Sequence, residues 1–359
     1  MKTAVLIPAY KPDDRLVVLA RTLHEMQISV LIVDDGSGPD YDRVFADVMP
    51  YAELLRYEVN RGKGGALKYG FSHIKEIFPD VLYLVTADAD GQHTPADIQK
   101  VAMQLQKNGG LVIGSRAFSG KVPLRSRFGN SVTRWVFRLA SGVTVHDTQT
   151  GLRGFDISLM EELSHIPGER YEYEMAILMY AAQNHIPMSE VEIETIYEEG
   201  NPTSHFNPVK DSFRIYRSIY MNSTGLKFIT SSVIAFIVDY VLSLLLVHFG
   251  VLLEIAAVIA WICSSLTNFS LNYSFAFRSK KSVPAAMGEY YVLAGITFLI
   301  KKMGLQELFV RLLRIPLPIA SPLCEVVMYP INYLIQKKLI FRRRSAAAIK
   351  SEKENKNEK

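Results

Sequence analysis

Cysteine is scarce: only Cys263 and Cys324 occur in 359 residues. Both lie in apolar stretches, so packed thiols are expected rather than a disulfide framework. A strong charge imbalance is also missing. Forty Lys and Arg oppose 36 Asp and Glu, a formal net charge of +4, and residues 342–359 alone hold seven basic against three acidic groups. The excess therefore sits in a polar tail, which excludes a bulk nucleic-acid binder. The N-terminus has no secretory core, since only Ala4–Ile7 form an apolar run before Pro8 where about 7–15 residues are needed. That leads to the expectation of a soluble part in the cytoplasm. Finally, charge is absent from 255–277, 23 residues without Asp, Glu, Lys or Arg, whereas residues 1–220 mix charged and apolar positions. A soluble part followed by a membrane part is expected.

In the soluble part, Ala4–Ile7, Val30–Val33, Val81–Val85 and Leu111–Ile113 are short apolar runs. Helical stretches such as Arg15–Met26 and Ala66–Ile77 separate the first of them. Alternating strands and helices predict a mainly parallel sheet with ligands at the carboxyl ends of its strands. Those ends are acidic. Asp34-Asp35-Gly36-Ser37 follows the second run, and Asp88-Ala89-Asp90-Gly91-Gln92-His93 follows the third. Burying such carboxylates is costly unless a cation or hydrogen-bond donors meet them. Oxygen ligands two residues apart suit Mg²⁺ or Mn²⁺, with the Gln92 carboxamide as a further donor. The competing reading is that Asp88 or Asp90 caps the helix after Thr94-Pro95. Between the acidic motifs, Asn60-Arg61-Gly62-Lys63-Gly64-Gly65-Ala66 is a glycine-rich, basic approach to a helix that can serve a phosphate. It does not have P-loop spacing.

Ile7-Pro8-Ala9-Tyr10, Val33-Asp34-Asp35-Gly36-Ser37, Asn60-Arg61-Gly62-Lys63-Gly64 and Asp88-Ala89-Asp90-Gly91-Gln92-His93 occur in this order. Together they resemble the family 2 glycosyltransferases of GT-A fold. The resemblance spans roughly 3–215 and is strongest to the branch of dolichyl-phosphate mannose synthases and bacterial polyprenyl-phosphate glycosyltransferases. It implies a nucleotide-diphosphate sugar donor bound by Pro8, Tyr10, Asp34, Asp35, Lys63, Asp88 and Gln149. It also implies Mg²⁺ or Mn²⁺ on Asp88, Asp90 and Gln92, with Asp90, Arg116 and Arg127 as the catalytic set. Arg125, Arg127, Ser131, His205 and Lys210 would bind the acceptor phosphate, because Arg forks and Lys point charges suit phosphate. The segment Asp147-Thr148-Gln149-Thr150-Gly151-Leu152-Arg153 resembles the part that shapes the sugar pocket. Either Glu172 or Glu174 could contact the sugar. A lipid monophosphate has its second pKa near about 6 by analogy with phosphoamino acids. It therefore arrives anionic and needs no strong general base, and its in-line attack inverts the anomeric centre.

In the membrane part, spans are expected near 226–248 and 253–276, each meeting the requirement of roughly 20 residues. Two weaker segments follow, 290–310 interrupted by Lys301-Lys302 and 315–336 interrupted by Glu325 and prolines. A short internal repeat at an offset of 64 pairs Asn268-Phe269 with Asn332-Tyr333, and Phe277-Arg278 with Phe341-Arg342. It describes two helical hairpins, hence four spans, and this part resembles the GtrA-like membrane modules. Arg278, Lys280, Lys281 and Arg342–Arg344 would be cytoplasmic. Asp239, mid-membrane, is either functional or a hydrogen-bonded packing residue. Residues 206–222 look like an interfacial amphipathic helix.

The expected layout is a GT-A α/β catalytic domain at 1–204 and juxtamembrane amphipathic helices at 205–224. An all-α transmembrane domain of four helices at 225–342 and a basic disordered tail at 343–359 complete it. The leading reading is a multi-pass membrane enzyme with its catalytic domain cytoplasmic. It would move one hexose, UDP-hexose favoured, onto a polyprenyl phosphate such as undecaprenyl phosphate; four small spans could also form a homo-oligomer. GDP-mannose is the alternative donor. A processive polysaccharide synthase is a further reading, but its Gln-x-x-Arg-Trp motif is matched only by Ser131-Val132-Thr133-Arg134-Trp135, with Ser in place of Gln. A lipid-sugar flippase or scaffold with a non-catalytic transferase domain is the reading from a different class.

Overall fold

The computed structural model describes residues 2–116, 124–194 and 209–341. The chain divides into two compact units, Met1–Ser223 and Thr224–Lys359.

The first unit alternates strands and helices as expected. It runs β1 (Thr3–Ala9), α1 (Asp14–Glu25), β2 (Ser29–Asp35), α2 (Asp42–Val48), β3 (Glu53–Tyr57) and α3 (Lys63–Ile77). β4 (Tyr83–Thr86), α4 (Pro95–Asn108), β5 (Leu111–Arg116) and α5 (Leu124–Ser141) follow. β6 (Arg153–Asp156), α6 (Met160–Ser164), α7 (Glu172–Gln183), β7 (Met188–Ile193) and α8 (Lys210–Asn222) complete it. β4 begins two residues later than the apolar run starting at Val81 suggests.

The seven strands form one sheet in the order β3-β2-β1-β4-β6-β5-β7. The pairs β3–β2, β2–β1, β1–β4 and β5–β7 are parallel, while β6 runs antiparallel between β4 and β5. Helices cover both faces, so central strands read as uninterrupted apolar runs; Ala4, Val5, Leu6 and Ile7 are all fully buried. The chain leaves β1 toward β2 on one side and returns as β4 on the other. This reversal opens a crevice at the carboxyl ends of β1 and β4.

α8 belongs to this unit. Its Ile215 and Ile219 are buried and Tyr216 Oη lies 3.4 Å from Thr133 Oγ1 of α5. The expected amphipathic stretch therefore turns Ile215 and Ile219 inward, while Val209 and Phe213 remain exposed. The part of that stretch before 209, and the tail at 343–359, lie outside the described residues.

The second unit consists of α9 (Thr224–His248), α10 (Leu253–Leu271), α11 (Val283–Leu299) and α12 (Leu317–Ile335). Among the described residues, Thr224–His248, Leu253–Ala276 and Val283–Leu312 are long and apolar enough to cross a membrane. α12, with Glu325 and three prolines, is not among these segments. The 64-residue repeat reappears in the backbone. α10 and α12 start at Leu253 and Leu317, and each is followed by a π-helical turn, Asn272–Ala276 and Gln336–Ile340. Both turns are closed by i→i+5 bonds, from Phe277 N to Asn272 O (2.9 Å) and from Phe341 N to Gln336 O (2.8 Å). The two phenylalanines stack with centroids 4.9 Å apart. Asn272 Nδ2 donates to Gln336 Oε1 at 3.3 Å across the repeat. Among the described residues, Asp239, Lys301 and Glu325 find polar partners. Ser264 of α10 donates to Asp239 Oδ1 at 3.2 Å, and Lys301 pairs with Glu325 of α12 at 2.5 Å.

Candidate active site

A cavity of about 830 Å³ opens at the β1/β4 crevice. The end of β1 contributes Pro8, Ala9 and Tyr10, and the end of β2 contributes Asp35. Gly62 and Lys63 open α3, and Asp88, Asp90, Gln92 and His93 follow β4. Arg116 ends β5, Thr148–Gly151 precede β6, and Glu174 stands in the first turn of α7.

The two carboxylates of β2 have separate tasks. Adjacent strand residues point to opposite faces. Asp34, 1% exposed, accepts from Ser37 N (2.9 Å) and from Nε of its cross-strand partner Arg56 (2.9 Å). Its oxygens hold the turn after β2, and it is not among the residues that line the cavity. Asp35 lines the cavity, yet its oxygens are occupied. Oδ1 accepts from Tyr57 Oη (2.7 Å) and Arg61 N (2.7 Å), and Oδ2 from Asn60 Nδ2 (3.0 Å) and Gly62 N (2.8 Å). Burial pushes this carboxyl above the ordinary range, against those hydrogen bonds. Its visible work is to fix the 60–62 loop. Gly62 closes that loop at φ +89°, where a Cβ would lie 2.6 Å from Glu169 O.

The fixed loop delivers Lys63 to the acidic motif. Its Nζ lies 2.6 Å from Asp88 Oδ1 and 3.0 Å from Glu174 Oε1. His93 Nε2 stands 3.3 Å from the other Asp88 oxygen. Burial disfavours the charged forms of both Lys63 and Asp88. Attraction outweighs it, so Lys63 is held above the usual ammonium range and Asp88 well below the usual carboxylate range. Asp90 shifts the other way: burial first, then the neighbouring Asp88, raises it, although Oδ1 accepts from Gln92 N (3.0 Å). Neither aspartate caps the next helix, because Thr94 does so by accepting from Asp97 N.

Two carboxylates two residues apart, one of them raised by burial and by its neighbour, beside a carboxamide, suit a divalent ion. Among the described residues no group of three His, Cys, Asp or Glu is assembled as a metal cage. Mg²⁺ commonly uses only one or two carboxylates plus substrate phosphates, so the donor set fits. Gly151 keeps the place open, since a Cβ there would lie 2.5 and 2.7 Å from the Asp88 oxygens and 2.7 Å from Lys63 Nζ.

The segment around Gly151 is held from below. Arg116 Nε and Nη2 donate to the fully buried Asp147 at 2.6 and 3.1 Å. Arg153, 1% exposed, donates to the carbonyls of Thr148 (3.2 Å), Thr150 (3.0 Å) and Glu174 (2.5 Å), and Thr86 Oγ1 donates to Gly151 O (2.8 Å). These anchoring roles of Asp147 and Arg153 are not legible in the sequence of the 147–153 segment. Only the adjacency of Asp and Arg to a pocket motif hinted at them. Between the two glutamates left open, Glu174 meets Lys63, while Glu172 accepts from the backbone N–H groups of Glu169 and Arg170.

Thus Pro8, Tyr10, Asp35, Lys63, Asp88, Asp90, Gln92, Arg116 and Gln149 line one cavity. Ser131, part-buried on α5, and Lys210, exposed at the start of α8, do not line it. Arg125 and Arg127 fall at the start of α5 with their side chains outside the described residues. His205 also lies outside them.

Residues 4–159 match the family model of glycosyl transferase family 2, and residues 227–341 match that of the GtrA/DPMS transmembrane domain. The UDP-N-acetylglucosamine–dolichyl-phosphate N-acetylglucosaminyltransferase of Methanococcus voltae is 30% identical over 243 residues, 62% of this chain and 96% of its own length. The polyprenol monophosphomannose synthase of Mycolicibacterium smegmatis is 28% identical over 205 residues, 54% of this chain and 76% of its own. The dolichyl-phosphate beta-glucosyltransferase of Drosophila melanogaster is 26% identical over 240 residues, 57% of this chain and 70% of its own.

Proposed function

This chain belongs to the family 2 glycosyltransferases, and from that premise we propose that it transfers a single hexose from a nucleotide-diphosphate sugar to a polyprenyl phosphate at a membrane. The observation that carries the reading is the gathering of Asp88, Asp90, Gln92 and Lys63 at the switch point of the sheet, in a chain that also holds membrane-length apolar helices. The three relatives named above, each a dolichyl- or polyprenyl-linked transferase by its name, support the acceptor class.

Pro8, Tyr10 and Asp35 border the nucleoside side, and Gln149 borders the sugar. Asp88, Asp90 and Gln92 would hold Mg²⁺ or Mn²⁺, which would supply positive charge to the departing diphosphate. An oxygen of the acceptor phosphate forms a bond to the anomeric carbon as the bond to the donor diphosphate breaks. The nucleoside diphosphate leaves and the anomeric centre inverts. Arg116, oriented by Asp147, and Lys63 supply positive charge where two phosphate groups approach one another. Arg125, Arg127, Ser131, His205 and Lys210 are assigned to the acceptor phosphate. Our reading keeps a multi-pass arrangement of four spans, supported by the 64-residue repeat, with the catalytic unit cytoplasmic, supported by Arg278, Lys280 and Lys281 after the second span.

UDP-hexose is the favoured donor, and GDP-mannose is the second reading because the Mycolicibacterium relative transfers mannose by its name. The test uses purified protein in detergent, undecaprenyl phosphate, Mg²⁺ or Mn²⁺, and a panel of UDP- and GDP-sugars. Metal-dependent release of nucleoside diphosphate with matching glycolipid, lost in Asp90→Ala, is expected from one donor. Absence of lipid-dependent turnover with every donor would sink the reading and favour a growing-glycan acceptor or a transport role.

A further inference from the structure

We propose that Lys63 is a built-in competitor for the divalent cation. Its ammonium neutralises Asp88 until a metal ion takes that carboxylate, and Glu174 is the positioning residue that receives the displaced ammonium. The inference rests on reading Asp88 and Asp90 as the metal-holding pair.

Three geometric facts carry it. First, both Asp88 oxygens are engaged, Oδ1 by Lys63 at 2.6 Å and Oδ2 by His93 at 3.3 Å. A divalent ion on Asp88 must therefore displace or share with a cation already there. Second, Glu174 Oε1 is 3.0 Å from the same Nζ. An ammonium has three N–H donors and no fixed plane, so Lys63 can move its weight from Asp88 to Glu174 without leaving the cavity or losing a carboxylate partner. The Glu174 side chain is only 10% exposed, so the Lys63 ammonium, together with the nearby buried Arg153, offsets the cost of burying its charge. Third, Gly151 walls the Lys63–Asp88 contact so closely that a single Cβ would overlap both groups. A side chain at position 151 would therefore disturb the ammonium and the carboxylate together.

Two ligands that compete for one carboxylate are negatively coupled, and such coupling is typically ~5–150-fold in affinity. The test is a Mn²⁺ titration of the full-length protein in detergent, without nucleotide or lipid, following the loss of the free-Mn²⁺ EPR signal. Lys63→Met is expected to bind Mn²⁺ about tenfold more tightly than the wild type. Glu174→Gln is expected to bind it about tenfold more weakly, because Lys63 then has only Asp88 to neutralise. The Glu174→Gln effect should vanish in the Lys63→Met background, since the two act through one contact. Lys63→Gln, which keeps an N–H donor but no charge, should follow Lys63→Met and carries the test if the methionine variant does not fold.

Lysine variants that bind Mn²⁺ no more tightly than the wild type overturn the competition, as does an undiminished Glu174→Gln effect in the absence of Lys63. Asp90→Ala separates the two levels. If it leaves Mn²⁺ binding unchanged, the metal reading of the acidic pair fails and this inference falls with it. If it removes binding while the lysine variants behave like the wild type, only the competition fails.

Discussion

Two acidic motifs end β2 and follow β4, the strands that flank β1 in the same sheet, and they have opposite fates. At the end of β2, Asp34 and Asp35 spend their oxygens on the protein itself. Each bonds its cross-strand partner, Arg56 or Tyr57, and the remaining oxygen capacity goes to backbone and loop donors. After β4, Asp88 meets the Lys63 ammonium, and Asp90 beside it is raised by burial and by Asp88. Acidic motifs of similar appearance thus divide into one that builds the cleft and one that faces it. The difference is set by position. The first pair lies within a strand whose register supplies partners, and the second lies in a turn beyond the strand, where the sheet supplies none.

The sharpest way to break that contrast is to remove a carboxylate from each turn. Asp90→Ala should lower transfer on the order of 10²–10³-fold, as expected when one stabilising group for developing charge is lost, with little change in unfolding temperature. Steady-state glycolipid formation measures it, and near-wild-type turnover would place Asp90 with the structural carboxylates. Gly151→Ala tests the same turn without touching a charge. Its methyl group would lie 2.5–2.7 Å from Asp88 and Lys63, and displacements of about 1 Å at a reacting site cost roughly 10²-fold. A variant with full activity would show that the Lys63–Asp88 slot need not be kept.

The opposite result is expected for Asp34→Ala. Ser37 N and the Arg56 guanidinium lose a buried charged acceptor, which costs about 1–3 kcal/mol, read as a lower unfolding temperature. Turnover per folded molecule should stay within about threefold of the wild type, small beside the losses expected at the acidic turn that faces the cleft. A large turnover loss at unchanged stability would put Asp34 in the catalytic machinery after all.

How much of this was legible follows from the same physics. Ala4–Ile7 and Val30–Val33 read as strands because a parallel strand buried on both faces must be apolar throughout. Asp88 and Asp90 stood out because ionisable groups after such a run require a reason. The partner of Asp34 was not legible, since it depends on the β2–β3 register that sets Arg56 opposite it. Nor was β6. Its four residues, Arg153–Asp156, carry no apolar run, and their place between β4 and β5 is decided by long-range pairing. The anchoring roles of Arg153 and Asp147 are likewise made by carbonyls and a guanidinium that only the fold brings together. In α8 the helical periodicity was visible, but which side meets protein was not: Ile215 and Ile219 pack on the catalytic unit. The 64-residue repeat, by contrast, was faint in the letters and clear in the backbone, because helix ends and π turns recur where side chains have diverged.

That repeat extends the contrast into the membrane unit and gives its smallest test. Asn272, fully buried, donates from Nδ2 to Asn268 Oδ1 at 2.9 Å and, across the two halves, to Gln336 Oε1 at 3.3 Å, while its own Oδ1 is buried without a partner, unlike the oxygens of Asp34. Interhelical hydrogen bonds in membranes average only about 0.6 kcal/mol. Asn272→Leu should therefore lower stability by about that amount, with a matching loss in Gln336→Leu and less than the sum in the double variant. Thermal unfolding in detergent reads the cycle, and transfer per folded molecule should be unchanged. If transfer falls tenfold while stability holds, the π turns serve the reaction, and buried polar atoms in this unit can no longer be read as cement alone.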